Sequence, residues 1–383
     1  MKRQLSALLV SLPALAACQT TPDYDQPLPE GAPALIPVED PGEIPDFSPQ
    51  WYEQDEILSA LDRSLAWTRR KHAEQFFPIA GVTHERALRS LERFRELLLE
   101  SPDPEALDRA LRSEFQVYKS AGWDGRGGGV LFTGYCTPIF DGRLEPDTVH
   151  RYPLYALPSD LVKGEHGEIL GWQTQVGLMP YPSRGAIEAG GILEERNLEL
   201  AWLASPMDAY IAHVNGSAFI RLQDGDMLRL GYAGKNGRTY RSLGRALVQE
   251  GVIERDQMSL AAIRRWAAET DPETVLEYLS RNDNYVFFQP IDGNPHGSLD
   301  FEVQEGRSVA TDKTIFPRGA LLYVRTSVPG QGPFEQFAFD QDTGGAIRTA
   351  GRADLYFGIG EEAEEIAGRV SSEGQLFYLF LRE

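Results

Sequence analysis

Apolar residues recur every three or four positions in the first third of the chain, and this spacing predicts helices. One such stretch covers residues 52–65, and a second begins after Thr83. Asp103 followed by Pro104 is typical of the cap and first position of a third helix, which we expect to run through Phe115. We interpret these helices as scaffold, because their charged residues fall on the outer faces.

Beyond Gly122 the pattern changes to short apolar runs separated by glycine and proline, which is typical of β-strands. Helical spacing returns at residues 259–268 and 272–281, and in a short segment at 361–367. Residues 375–381 are apolar on both faces and predict a buried strand. The chain is therefore expected to be mainly β with N-terminal helices.

Aspartates concentrate in the strand pattern near the C-terminus. Phe337 and Phe339 alternate with Asp340 and Asp342, so both carboxylates are expected on one face of a strand, with their Cα atoms about 7 Å apart. A third acid, Asp354, follows after a Gly-Gly break. On spacing alone, a solvated turn and a functional carboxylate cluster are equally good interpretations, because aspartate and glycine are common in turns.

The N-terminus has the pattern of an export signal. A short basic region precedes an apolar run over residues 5–15, which is too short to span a bilayer and ends in small residues before Cys18. This resembles a bacterial lipoprotein signal, predicting a signal peptide over residues 1–17 and acylation of Cys18; Gln19 resembles lipoproteins sorted to the outer membrane. Frequent prolines predict an extended tether over residues 18–50.

Composition narrows the function classes. With 383 residues, 42% hydrophobic and 25% charged, the chain is long enough for about two domains. Its net charge of -20 argues against nucleic acid binding and against attachment to anionic lipid through a basic surface. The six histidines are scattered, so we expect no metal and no cofactor. Cys136 has no disulfide partner once Cys18 is acylated and is expected to be buried.

Several separated motifs occur in an order that resembles a known enzyme family. They are VLFTGYCTP at residues 130–138, RYPLYALP at 151–158, YPSR at 181–184, YAGK at 232–235, and DTGGAI with GRAD, an aromatic pair and GIG at 342–360. Together they resemble the membrane-bound lytic murein transglycosylase A family over roughly residues 130–383. Cys136 and Thr137 depart from the family pattern, which runs close to FTGYYEP.

The resemblance implies a double-psi β-barrel domain with an inserted second β-domain and a groove between the two. On this basis residues 51–137 and 277–383 form the helical scaffold and the barrel, with the three-aspartate region at 310–383. Residues 138–276 form the insert. Ligands favour such domain boundaries.

The resemblance also implies non-hydrolytic cleavage of the β-1,4 bond between N-acetylmuramic acid and N-acetylglucosamine, leaving a 1,6-anhydromuramyl end. One carboxyl group suffices: it protonates the leaving oxygen and then, as a carboxylate, takes the proton of the attacking C6 hydroxyl. Motif position makes Asp342 this acid, with Asp340 and Asp354 supporting it. Asp340 would raise the pKa of Asp342, and Arg348 or Arg352 would oppose this.

The substrate contacts that the resemblance implies are Thr133, Gly134, Tyr135, Asn215, Gly216, Ser217, Lys235, Gly344 and Gly345. Family members usually carry glutamine in place of Asn215, and a hairpin turn at Asn215-Gly216 is an equally good alternative. Lys235 would meet a muramyl lactate or peptide carboxylate, or is simply exposed beside a hairpin turn at Asn236-Gly237.

The implied partners are peptidoglycan glycan strands and the periplasmic face of the outer membrane, reached through the lipid anchor, with other cell-wall enzymes as further candidates. Two other function classes compete. A hydrolase needs a second carboxylate, for which Glu145 and Glu188 are the nearest candidates. A non-catalytic glycan-binding scaffold would use aromatic stacking by Tyr135, Tyr155 or Tyr210.

Overall fold

The computed structural model describes residues 22–164 and 169–383, so the predicted signal peptide and Cys18 lie outside the described residues. The strands are β1 Leu35–Pro37, β2 Phe115–Ser120, β3 Val130–Thr137, β4 Ile139–Arg143, β5 Tyr152–Tyr155, β6 Leu161–Lys163, β7 Ile169–Thr174, β8 Gly177–Met179, β9 Glu199–Leu203, β10 Ala218–Arg221, β11 Met227–Lys235, β12 Val286–Pro290, β13 Ser308–Ala310, β14 Leu321–Val328, β15 Gly332–Asp342, β16 Arg352–Ile359 and β17 Ser371–Leu381. The helices are α1 Gln54–Thr68, α2 His84–Glu100, α3 Pro104–Glu114, α4 Arg184–Glu188, α5 Pro206–Asn215, α6 Leu243–Gln249, α7 Leu260–Glu269, α8 Pro272–Ser280 and α9 Glu361–Ala367.

The helices predicted from apolar spacing are confirmed, and side chains fix their starts. Thr83, Asp103, Ser259 and Asp271 accept hydrogen bonds from backbone N–H groups in the first turns of α2, α3, α7 and α8. The apolar faces of α1, α2 and α3 share one buried cluster with Phe337 of β15. The N-terminal helices therefore support the strand that carries the predicted acids.

Among the described residues, six strands close into a barrel in the order β17, β14, β15, β13, β16 and β3, with β3 pairing back onto β17. The pairs β13–β15 and β16–β3 are parallel, and β14 pairs antiparallel with both β15 and β17. Residues 376–380 of β17 are all buried, as the sequence predicts. This closed barrel with flanking helices confirms the predicted fold class.

The prediction of an extended tether over residues 18–50 is wrong for the part that the structure describes, residues 22–50, which lies on the folded body. β1 pairs antiparallel with β2 and adds an edge strand to the barrel sheet. Pro37 is tolerated there because an edge strand can leave one backbone position without a hydrogen bond. Leu35 and Phe47 are buried, so this segment belongs to the folded body despite its prolines.

A second sheet lies outside the barrel, with strand order β12, β11, β10, β4, β9 and β5, and β6–β8 form a small third sheet. The sequence places residues 277–383 with the barrel, but α8 and β12 belong to the second sheet and its core. Val286 and Phe288 are buried against the helices of this domain, and that burial holds β12 there. The strands of the second sheet therefore extend to Pro290.

Neither Asn-Gly pair forms a hairpin, so that alternative is wrong at both positions. Gly216 ends α5 in the left-handed conformation, with φ 73°. The Asn236 side chain is buried and donates to the carbonyls of Pro182 and Asp283 at 2.8 Å. Asn-Gly pairs favour a left-handed backbone, and helix ends and loops need this conformation as well as hairpins.

Candidate functional site

A cleft of about 930 Å³ lies between the barrel and the second sheet. It contains the side chains of Asp342 and Asp354 in its wall. Of the residues predicted to contact substrate, those that line it are Gly134, Tyr135, Asn215, Gly216, Ser217, Lys235, Gly344 and Gly345. Thr133 does not line the cleft, and its hydroxyl instead donates to Asp354. The separated sequence motifs therefore converge on one concave surface.

Strand register places the two cleft aspartates on one wall. Ala310 of β13 pairs with Asp342 on one side and with Asp354 on the other, and Asp354 pairs with Thr133 of β3. Because neighbouring strands are about 4.8 Å apart, the two aspartates are separated by about 10 Å along this row. The barrel thus presents both carboxyl groups from the same side of the cleft.

Asp342 accepts three hydrogen bonds that stabilise its ionised form. One carboxylate oxygen accepts from the backbone N–H groups of Ser298 at 2.9 Å and Thr343 at 2.8 Å, and the other accepts from the Tyr135 hydroxyl at 2.9 Å. Burial raises the pKa of Asp342, while these three donors and the charge of Lys313 oppose the rise.

Asp354 has fewer donors. The Thr133 hydroxyl donates to one of its oxygens. Burial raises the pKa of Asp354, and the Thr133 hydrogen bond and the Arg352 charge oppose this. A carboxyl group with one hydroxyl donor loses fewer hydrogen bonds on protonation than one with three donors, so fewer contacts oppose a proton on Asp354.

Asp340 lies inside the barrel and does not line the cleft. It is fully buried, forms an ion pair with Lys313, and accepts from the Thr311 hydroxyl at 2.8 Å and the Tyr378 hydroxyl at 3.0 Å. Burial is the main cause of the raised pKa of Asp342, and the charge of Asp340 is met by Lys313. Asp340 therefore stabilises the barrel beneath the site.

Arg352 connects the site to the segment before β1. It donates to Asp25 at 3.1 Å and to the Thr133 hydroxyl at 3.4 Å. Asp25 also forms an ion pair with Arg245 of α6, which belongs to the second domain. The N-terminal segment thus joins both domains beside the cleft, and sequence spacing gave no sign of it.

The departures from the family pattern are accommodated inside the protein. Cys136 is buried as predicted, and burial raises the pKa of its thiol to about 12. The Asn215 side chain accepts from the Cys136 backbone N–H at 3.3 Å and donates to the Ile211 carbonyl at 3.0 Å. The Thr137 hydroxyl is buried between hydroxyl partners. The Asn215 side chain therefore links α5 to β3 in the wall of the cleft.

The residues proposed for the alternative functions lie in different places. Glu145 is exposed, and Glu188 accepts from the buried Arg184 at 2.6 Å; neither lines the cleft. Tyr135 and Tyr210 line the cleft, whereas Tyr155 does not. An exposed Asp342 turned away from the groove would favour a non-catalytic scaffold, but Asp342 is partly buried and lines the cleft.

In the described ranges, no group of three or more histidine, cysteine, aspartate or glutamate side chains is arranged to hold a metal ion. Nor does any helix of residues 22–164 and 169–383 have the length and apolar character needed to cross a bilayer.

Comparison with known proteins agrees with this geometry. Residues 131–289 match the MltA specific insert domain, and residues 307–380 match the 3D domain. The chain is 33% identical over 298 residues to membrane-bound lytic murein transglycosylase A of Vibrio cholerae, covering 76% of this chain and 75% of the relative. The chain belongs to the membrane-bound lytic murein transglycosylase A family. The family expected from the motifs, and with it the lytic transglycosylase class of lyases, is confirmed.

Other relatives agree. The protein of the same name from Escherichia coli K12 is 34% identical over 260 residues, 66% of each chain. Among solved structures, a membrane-bound lytic murein transglycosylase from Agrobacterium tumefaciens has a TM-score of 0.75 at 26% identity, covering 91% of this chain and 98% of that one. Escherichia coli MltA with bound chitohexaose has a TM-score of 0.67 at 26% identity, covering 94% and 96%.

Proposed function

We propose that this protein cleaves the β-1,4 bond between N-acetylmuramic acid and N-acetylglucosamine in peptidoglycan without adding water, leaving a 1,6-anhydromuramyl end. The observation that carries this proposal is the pair of cleft carboxyl groups on one barrel wall, of which one is suited to hold a proton. The bound chitohexaose in the Escherichia coli relative supports a glycan in the corresponding cleft.

Asp354 is the general acid in this proposal. The sequence favoured Asp342 by motif position, but three donors oppose a proton on Asp342, whereas Asp354 has one hydroxyl donor. An acid must carry its proton at the working pH, and burial of Asp354 favours the neutral form.

The same group then acts as the base. After the leaving oxygen takes its proton, Asp354 is ionised, and the positive charge of Arg352 favours that state. The carboxylate accepts the proton of the C6 hydroxyl as that oxygen bonds to C1. The proton returns to Asp354, so the cycle closes without water or a second acid.

In this proposal Asp342 and Tyr135 position the substrate and stabilise the transition state. The Asp342 carboxylate fixes the Tyr135 hydroxyl, which lines the cleft beside both carboxyl groups. A fixed negative charge on this wall favours the positive charge that develops on the sugar ring in the transition state. In this proposal Asp342 is therefore an electrostatic partner and does not transfer the proton.

Product analysis tests the reaction. Purified sacculi are digested by the chain lacking residues 1–18, in water enriched in heavy oxygen, and the released muropeptides are analysed by mass spectrometry. Transglycosylation gives anhydro ends that are lighter by one water and carry no heavy oxygen. Hydrolysis would give reducing ends labelled by the solvent, and would require a second carboxylate across the cleft.

The location proposed for the protein is the periplasmic face of the outer membrane, with acylation of Cys18 as the attachment. Several acyl chains anchor a protein more firmly than one. Metabolic labelling with a fatty acid should mark the wild-type protein in the membrane fraction. A Cys18→Ser variant that still carries the label and stays in the membrane would contradict this attachment.

A further inference from the structure

Three cationic side chains that line the cleft, those of Lys235, Arg318 and Arg348, form no ion pair with a carboxylate in the described part of the chain. Arg318 instead donates to the Lys313 carbonyl at 3.1 Å and lies over the Phe76 ring.

Lys235 ends β11, and Arg348 follows the Gly344-Gly345 turn; both line the cleft. The Arg348 side chain donates to the Gly345 carbonyl at 3.4 Å. By contrast, the cleft-lining cations Arg184 and Lys313 are ion-paired. In a protein of net charge -20, three cations without a counter-ion in one cleft need an explanation, and of these Arg348 is the one whose charge acts on Lys235.

Lys235 and Arg348 come from opposite sides of the cleft. Lys235 belongs to the second sheet, and Arg348 belongs to the loop between β15 and β16 of the barrel. The loop approaches the second domain closely, because a Cβ added to Gly345 would lie 3.3 Å from the Cβ of Tyr240. Burial lowers the pKa of Lys235, and the nearby charge of Arg348 lowers it further. An anion between the two cations would remove this repulsion.

We infer that Lys235 and Arg348 form a carboxylate subsite spanning the cleft, which binds the acidic substituent of a muramyl residue. An ammonium group and a guanidinium group both make charge-assisted hydrogen bonds to carboxylates. This inference rests on the proposed function and names the feature of the strand that the cleft recognises. The carboxylate comes from the lactyl group in peptide-free strands, or from the stem peptide in strands that carry it.

The subsite predicts that the cleft binds glycans with carboxylates more tightly than neutral glycans with the same linkage. Chitin oligosaccharides share the β-1,4 linkage and the N-acetyl groups but carry no carboxylate. They should therefore bind without help from Lys235 or Arg348.

Binding is measured by isothermal titration calorimetry in an Asp354→Asn background, so that strands are not cut. The ligands are peptide-free glycan strands, the same strands with their lactyl carboxylates converted to methylamides, strands with stem peptides, and chitohexaose. The variants are Lys235→Met and Arg348→Met, with Arg89→Met as a matched control, because Arg89 is exposed on α2 and does not line the cleft.

For carboxylated strands, we expect Kd to rise about tenfold in Lys235→Met and about threefold in the more exposed Arg348→Met. Neither change should alter the Kd of methylamide strands or chitohexaose, and Arg89→Met should match the background. A loss confined to peptide-free strands identifies the lactyl carboxylate, and one confined to peptide-bearing strands identifies the stem peptide.

Equal weakening for neutral and acidic ligands would overturn the subsite, and so would unchanged binding of acidic strands by both variants. Arg348 is exposed, so its replacement keeps the test valid if Lys235→Met unfolds. Turnover is not measured here. A lack of anhydro products from the wild-type protein would therefore count against the proposed reaction and leave this binding result interpretable.

Discussion

Replacing Lys313 by methionine should destabilise the barrel strongly. Lys313 and Asp340 are both buried and form an ion pair next to the Thr311 hydroxyl, beneath the cleft wall. Methionine is similar in length but carries no charge, so it leaves Asp340 buried without its cation. Removing one partner of a buried pair costs about 3–5 kcal/mol.

The stability lost in Lys313→Met depends on pH in a defined direction. Burial already raises the pKa of Asp340, and Lys313 opposes this, so the variant should raise that pKa further. The folded variant then favours the protonated acid, whereas the unfolded chain ionises near the ordinary pKa. The loss in free energy of unfolding relative to the wild type should therefore be largest near neutral pH. It should shrink by about 1.4 kcal/mol per pH unit as the pH falls through the raised pKa of Asp340.

Urea unfolding followed by fluorescence measures this deficit. The double variant Lys313→Met/Asp340→Asn removes both charges and keeps an acceptor for Tyr378, so it should recover part of the loss. The reasoning is refuted if Lys313→Met costs less than about 1 kcal/mol at pH 7, or if the double variant loses the sum of the two single variants.

Three further predictions concern the surroundings of the cleft. Asp25→Ala should lower the free energy of unfolding by about 1–3 kcal/mol, because Arg352 loses its carboxylate partner; no change in chemical denaturation would contradict the bridge. The rate of anhydro product formation should fall as the pH rises through the raised pKa of Asp354, and Arg352→Met should move this alkaline limb to higher pH, because it removes a charge that lowers that pKa. If the alkaline limb does not move in Arg352→Met, the charge of Arg352 does not affect the pKa of the acid. Cys136 should resist alkylation by iodoacetamide at pH 8 until the protein is unfolded, since its thiol is buried with a pKa of about 12; rapid labelling of the folded protein would contradict this.

Local patterns predicted the elements well where one physical cause dominates. Helix starts at Thr83 and Asp103 follow from side-chain capping, and the buried β17 follows from its apolar run. The prolines before residue 50 led to the wrong prediction of a tether, because an edge strand also tolerates proline. β12 was placed with the wrong domain, because an apolar strand does not specify which core buries it.

The candidate site was predictable in its members but not in its electrostatics. Motifs brought Tyr135, Asp342 and Asp354 together and favoured Asp342 as the acid, but they carried no information on the donors around each carboxyl group. Those donors include the backbone N–H of Ser298, far away in sequence, and the hydroxyl of Thr133 across the barrel. Lys313 was missed for the same reason, since pairing with Asp340 arises only from the closed barrel.

The most direct test of the central claim compares Asp354→Asn with Asp342→Asn on one glycan substrate, following anhydro products by mass spectrometry. Both substitutions preserve side-chain volume, and thermal melting verifies folding. We expect Asp354→Asn to lower kcat by about a hundredfold to ten-thousandfold, while Asp342→Asn retains measurable turnover. Turnover that survives in Asp354→Asn but disappears in Asp342→Asn would contradict this expectation and make Asp342 the acid.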